Sequence, residues 1–183
     1  MDFYSNVLLK PDLEMPVSSL LNAVYSKCHR GLCDLKSNSI GISFPAYEVL
    51  LGDQLRIHGS YQDLVDLAAL DWLGGLIGYC EAGQIESVPA LCNYRTVSRR
   101  QTTMTQAKLR RLIKRGTIVE SDIKQYKAKM FTKGLDNPYV ELVSTSTGHK
   151  HRRHIEFGEL RTQPVLGSFD QFGLSKTATV PWF

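Results

Sequence analysis

Apolar positions in the first ninety residues follow two different periods. Phe3 to Leu9 is a compact run ended by Pro11, and it predicts a strand. Val17, Leu20, Leu21, Val24 and Cys28 then recur at helical spacing, predicting a helix over 17–30 with Gly31 as its stop. Ser39 to Phe44 alternates and ends at Pro45, a second strand, and Gln54 to His58 follows the Gly52-Asp53 turn signal as a third. Ser60-Tyr61-Gln62-Asp63 reads as a capping box with Asp in place of Glu, and Leu64, Leu67, Ala68 and Leu70 continue it as a second helix. Leu76 to Cys80, after Gly74-Gly75, predicts a fourth strand. The order βαββαβ is that of a ferredoxin-like domain.

Patterning in the second half is less regular. Tyr94 to Gln101 predicts a strand, Thr105 to Arg115 a short helix closed by Gly116, and Ser121 to Phe131 a helix with Ser121 as N-cap. Tyr139 to Ser146 predicts a strand that pairs with His151 to Phe157 across a turn at Gly148. The tail from Gly173 to Phe183 ends in Val-Pro-Trp-Phe, apolar enough to dock on the body. The fold class is therefore α+β. The expected division is a ferredoxin-like domain over 1–92 and a second α/β region over 93–183.

Charge sharpens this division. Residues 1–92 carry five Lys/Arg against eleven Asp/Glu, a net of −6, and residues 93–183 carry seventeen against seven, a net of +10. From Ser87 to Val119 there is no acidic residue at all. On the helix over 105–115, Leu109, Leu112 and Ile113 share one side, while Arg110, Arg111, Lys114 and Arg115 fill the other, with Lys108 at the border. A solvated charged face usually mixes Glu with Lys for i,i+4 pairing, and this one cannot. A membrane-surface helix would show more than three aliphatics and some aromatic residues. Nucleic acid is the favoured partner, since the guanidinium fork suits phosphate and guanine. Arg99 and Gln101, two apart on a strand, share a face and are suited to read guanine and adenine edges.

Candidate chemistry is sparse. His29, near the end of the first helix, is either a cation favoured by the helix C-terminus or a general acid/base. Ser144-Thr145-Ser146-Thr147-Gly148 is a hydroxyl-rich strand end, and His149, His151 and His154 follow it. Strand spacing would set His154 on the face opposite His149 and His151, which disfavours a metal site. No GxxxxGK[ST], GxGxxG or HExxH pattern occurs, and the basic half lacks a carboxylate cluster for Mg²⁺. Phosphodiester cleavage, if present, is expected without metal or other cofactor. The four cysteines form no CxxC pair and are expected to be free thiols. The chain shows no apolar run of membrane-spanning length and no secretory signal, so a cytoplasmic location is the expectation.

Several segments, taken in order, resemble one family. They are Met1-Asp2-x-Tyr4, Ile40-Gly41-Ile42-Ser43-Phe44-Pro45, Leu55-Arg56-Ile57-His58, Tyr94-Arg95-x-Val97-Ser98-Arg99, the arginine-rich helix, Ser144-x-Ser146-Thr147-Gly148, Gly173-Leu174-Ser175-Lys176 and Val180-Pro181-Trp182-Phe183. Over nearly its full length the chain resembles the type I-F CRISPR-associated endoribonucleases that process CRISPR repeat transcripts. The resemblance implies that the arginine-rich helix lies in the major groove of a short RNA hairpin. Arg99 and Gln101 match the readers of bases at the foot of the stem. Arg110, Arg111, Lys114 and Arg115 match the residues that hold phosphates, and Lys108 is a further RNA-binding candidate on the same helix, which is one residue shorter than the family's. His29 matches the catalytic histidine, Ser144 the serine that holds the attacking 2′-hydroxyl, and Ser146 a second serine near the RNA backbone. The implied products are a 2′,3′-cyclic phosphate and a 5′-hydroxyl. The implied partners are the repeat hairpin, retained as the 3′ handle of the guide RNA, and other subunits of a type I-F surveillance complex, with no membrane involved.

The chain departs from the family pattern at three places. Phe172 stands where the family commonly has Tyr, and is expected to pack beside His29. His151 stands where a Phe stacks under the last base pair. Thr177-Ala178-Thr179 replaces a glycine-richer loop. The alternative to an enzyme is a non-catalytic hairpin-binding subunit of a CRISPR ribonucleoprotein.

Overall fold

The computed structural model describes residues 1–101, 106–132, 136–143 and 148–183, without the side chains of residues 131 and 132. Strand β1 (Phe3–Leu9) leads into helix α1 (Val17–Asp34), then β2 (Gly41–Ser43), β3 (Gln54–Gly59) and helix α2 (Tyr61–Ala69). A 3-10 helix, Gly74–Tyr79, precedes β4 (Cys80–Ala82) and the short β5 (Glu86–Ser87). The sheet runs β2-β3-β1-β4, antiparallel throughout, with β5 also on β1. That is the ferredoxin-like order expected from βαββαβ.

The expected fourth strand over Leu76 to Cys80 is mostly this 3-10 helix instead. Three glycines in the six-residue run remove the side chains that would pack on a pleat, and only Cys80 joins the strand. Gly31 does not end α1. The helix runs on to Asp34, and Gly31 is buried where an added Cβ would come within 2.9 Å of Leu67 Cδ1 on α2. It is a close-packing glycine between two helices. The chain turns out of the helix at Lys36, at φ 52°. His29 is consequently five residues from the helix end, and the C-terminal dipole falls away within the last turn, so it does not account for His29.

In the second half the expected strand over 94–101 divides at Thr96 into β6 (Asn93–Arg95) and β7 (Val97–Arg100), which join different sheets. β6 pairs with β10 (Val180–Trp182), so the tail docks as expected. β7 pairs with β9 (Lys150–Phe157), which pairs with β8 (Tyr139–Val143). Helices α3 (Gln106–Lys114) and α4 (Glu120–Thr132) lie between β7 and β8 in sequence. Ser121 is inside α4 and not its N-cap. One buried cluster draws on both halves: Leu20, Val24, Cys28, Ile42 and Leu55 pack with Val97, Val140, Leu142, Ile155, Leu174 and Val180. The four cysteines are free. No helix among the described residues is long and apolar enough to cross a membrane.

Candidate active site

His29 stands on α1 in a cleft of about 700 Å³ shared with Ser26, Arg30, Cys33, Leu142, Val143, His151 and Phe172. Two segments meet there. Strand β8 docks on α1 through the Glu141 backbone N–H, which donates to Asn22 Oδ1 at 2.8 Å. Asn22 is seven residues before His29, two turns along one helix face. β8 therefore ends at Val143 beside His29. Ser144 and Ser146, which come next, lie outside the described residues.

The second segment is the loop carrying Phe172. Its ring stacks on the His29 imidazole, centroids 3.6 Å apart and planes at 10°, as expected from the sequence. Backbone bonds fix this loop from several sides. The Phe169 N–H donates to the Asn38 carbonyl, the Ile42 N–H to the Gly173 carbonyl, and the Ser175 N–H to the Val97 carbonyl, each at 2.9 Å. Asp170 Oδ1 accepts from the N–H groups of Phe172 and Leu174, and the Tyr25 hydroxyl donates to the Phe172 carbonyl. Gly173, at φ +68°, lies so close to Ile42 that a Cβ would stand 3.1 Å from its backbone nitrogen.

The same loop sets the histidine tautomer. His29 Nδ1 is 2.7 Å from the carbonyl oxygen of Gln171, which can only accept. Nδ1 thus carries the proton, and in the neutral ring Nε2 carries the lone pair. The imidazole is thereby held with its plane and its tautomer both fixed, the arrangement that general-base chemistry requires. Cys33 Sγ is 3.5 Å from His29 Nδ1 and 3.5 Å from Gln171 Oε1. Burial, then the nearby Asp34 carboxylate, raises the Cys33 thiol, so it is a weak nucleophile.

On the other side of Phe172 lies Arg153, to which the sequence pattern assigns no role. Its Cζ is 3.4 Å from the Phe172 centroid, and its side chain is only 7% exposed. Burial lowers its pKa and Arg99 adds to that, while Tyr25 and Asp170 oppose it. A signal was present in the strand: Arg153 shares pleat parity with buried Ile155 and half-buried Phe157. His151 has the same parity and faces the His29 cleft, whereas His154 points away and pairs its Nδ1 with the Asn137 carbonyl.

Arg99 and Gln101 line one further cleft together with Asp170, Ser175 and Lys176. With its amide turned so that the oxygen faces Arg99, Gln101 accepts from both terminal nitrogens, at 2.9 and 3.2 Å. On α3 the side chains of Lys108, Arg110, Arg111 and Lys114, and of Arg115 just beyond it, are exposed, while Leu109 is buried. Ile113 is 45% exposed, so the apolar stripe is narrower than the wheel predicts. None of these residues lines the His29 cleft.

The acid-free run is also less uniform than its charge suggests. Arg95 donates to the Gly158 carbonyl and lies over Phe157 and Trp182, which makes it a packing residue. Arg100 is paired at 2.9 Å with Glu156 of the neighbouring strand.

Comparison with known proteins identifies the family. Residues 4–183 match the family model described as CRISPR-associated protein (Cas_Csy4). The chain is 37% identical over 184 residues to a CRISPR-associated endonuclease Cas6/Csy4 of Escherichia coli (strain UTI89 / UPEC), covering all of both proteins. It is 37% identical over 187 residues to another of the same name from Pseudomonas aeruginosa (strain UCBPP-PA14), again over all of both. A solved CRISPR endoribonuclease Cse3 bound to 19 nt RNA aligns over 99% of this chain and 100% of its own, at 13% identity and a TM-score of 0.40, too distant a likeness to add to these. The chain belongs to the Cas_Csy4 family of CRISPR-associated proteins.

Proposed function

We propose that this protein is a metal-independent endoribonuclease that cuts CRISPR repeat transcripts 3′ of a stem-loop and stays bound to the product. The observation that supports it most directly is the fixed His29, which lines the cleft: stacked on Phe172, bonded through Nδ1–H to Gln171, and left in the neutral ring with its lone pair on Nε2, 3.8 Å from Cys33 Sγ. In the proposed step Nε2 takes the proton of the ribose 2′-hydroxyl, which Ser144 orients. The 2′-oxygen bonds to the adjacent phosphorus, the bond from phosphorus to the 5′-oxygen breaks, and that oxygen is protonated from solvent. The products are a 2′,3′-cyclic phosphate and a 5′-hydroxyl. Ser146 lies near the RNA backbone. Nearby cations stabilise the extra negative charge that forms on phosphorus-bound oxygens.

The halves divide this work. Residues 1–92 supply the acid/base, and residues 93–183 supply the grip. Arg99 and Gln101 read bases at the foot of the stem. Lys108, Arg110, Arg111, Lys114 and Arg115 hold phosphates, and His151 stacks below the last base pair. The bound product then serves as the guide RNA of a type I-F surveillance complex in the cytoplasm.

The test separates cutting from holding. His29→Ala should lower single-turnover cleavage of the repeat hairpin by about 10²–10⁴-fold, the usual range for a general base, while its hairpin Kd stays within twofold. Full-rate cleavage by the variant refutes the assignment. Wild-type binding with no cyclic-phosphate product would instead mark the chain as a hairpin-binding subunit.

A further inference from the structure

Arg153 is a buried cation whose pairing among the described residues is incomplete: it stacks on Phe172 and has Asp170 nearby, but its Nε, shielded from solvent, is left without a hydrogen-bond partner. Its one carboxylate neighbour, Asp170, lies 3.8 Å from Nη1, beyond hydrogen-bond range, and the other Asp170 oxygen is occupied by two backbone N–H groups. Burying a guanidinium with its pairing incomplete is costly, and a ligand that pairs with it offsets that cost. The surroundings indicate the ligand's charge. Arg153 borders a cleft of about 480 Å³ with Lys36 and Arg99, and Asp170 is the only acid among the described residues that line it. Ser37 and Asn38 add neutral donors.

The cleft is separated from the His29 cleft by one ring, since Phe172 lines both. Two groups this close to the same ring must occupy its opposite faces. The separations of 3.4 Å and 3.6 Å set Arg153 and His29 about 7 Å apart across it, the order of the through-space step between neighbouring phosphates on one strand, which exceeds the ~3.4 Å of helix axis per nucleotide because the backbone winds around that axis. We propose that Arg153 seats an RNA phosphate within two nucleotides of the scissile one, so that the strand crosses the edge of Phe172 with one phosphate in each cleft. This rests on the repeat-cutting reading above for which strand enters, though not for the chemistry of the seat.

Repeat-hairpin RNA carrying a single uncharged methylphosphonate, moved along the nucleotides flanking the cut, provides the probe. Arg153→Gln should weaken hairpin binding about tenfold and flatten the slope of log affinity against log salt by about 0.7–0.9, the share of one phosphate. Arg153→Lys should keep the wild-type slope. At one position within two nucleotides of the cut, the methylphosphonate should weaken wild-type binding and leave Arg153→Gln unaffected. A wild-type slope in Arg153→Gln, or a methylphosphonate loss that persists in it at every position, overturns the seat and leaves Arg153 as a support for Phe172. Should Arg153→Gln fail to fold by circular dichroism, the wild-type scan decides, because no loss near the cut is fatal to the proposal. Cleavage is scored separately. A wild type that binds with the expected Arg153 coupling but does not cut refutes only the repeat-cutting reading, and one that binds no RNA refutes both.

Discussion

Gly173→Ala should damage this protein more than any substitution of comparable size on its surface. The residue sits at φ +68°, where a Cβ costs about 1–2 kcal/mol. There is also no room for it. The new methyl would land against Ile42 Cγ1, 3.0 Å from Ile42 Cβ and 3.1 Å from its nitrogen. Ile42 is fully buried in β2 and cannot swing aside. Relief requires the loop to lift, which stretches the Ile42 N–H bond to the Gly173 carbonyl, worth about 1 kcal/mol. The total is about 2–3 kcal/mol. At roughly 2–4 °C per kcal/mol for a chain of this size, the melting midpoint should fall by about 4–12 °C. The larger effect is on function. The lifted loop carries Phe172 and the Gln171 carbonyl, the two groups that orient His29. A displacement of about 1 Å at a reacting group can cost about 10²-fold in rate. Thermal melts, hairpin binding and single-turnover cleavage of the variant test this together: cleavage should drop about a hundredfold below the melting point, while binding changes little. A variant that melts within 2 °C of wild type and cuts at full rate would refute the claim that this loop positions the histidine.

Two further outcomes are expected. Replacing Arg110, Arg111, Lys114 and Arg115 together by Ala should flatten the salt dependence of hairpin binding by about three units of log–log slope with the fold intact, as read by binding titrations at several salt concentrations. His58 is fully buried, its Nε2 2.8 Å from the Ser43 hydroxyl, and burial lowers its pKa to about 3, with Arg56 and the N-terminus adding to the shift. Because the folded value lies below the unfolded one, this group's contribution is complete above about pH 6.5. It is lost as pH falls toward 3, at up to about 1.4 kcal/mol per pH unit. Urea denaturation of wild type and His58→Gln should show their stability gap narrowing across that window, and a constant gap would contradict the assignment.

The sequence was most legible where a single period dominated. The spacing of Leu20, Leu21, Val24 and Cys28 located α1, and the runs at Phe3 and Gln54 located β1 and β3, which fall at the centre of the sheet. It misled where one residue type has two uses. Gly31 reads as a helix stop, but its lack of a side chain serves contact with Leu67. Leu76 to Cys80 was too short a run to separate a strand from a 3-10 turn. Within the basic run, charge alone could not show that Arg95 is spent on Gly158 and two aromatic rings, or Arg100 on Glu156. Those partners lie more than fifty residues away. The pairing of His29 with Phe172 was legible only through family resemblance. Arg153 and the Gln171 carbonyl were not anticipated, because backbone acceptors and pleat-facing charges leave little mark on composition.

Product chemistry tests the central claim most directly. Wild-type protein should be incubated with its repeat hairpin in excess EDTA and the new RNA ends identified. Undiminished cutting with a 2′,3′-cyclic phosphate upstream and a 5′-hydroxyl downstream is the predicted result, and a 2′-deoxy substitution at the nucleotide before the cut should abolish it. Loss of cleavage in EDTA, or a 5′-phosphate on the downstream fragment, would contradict it.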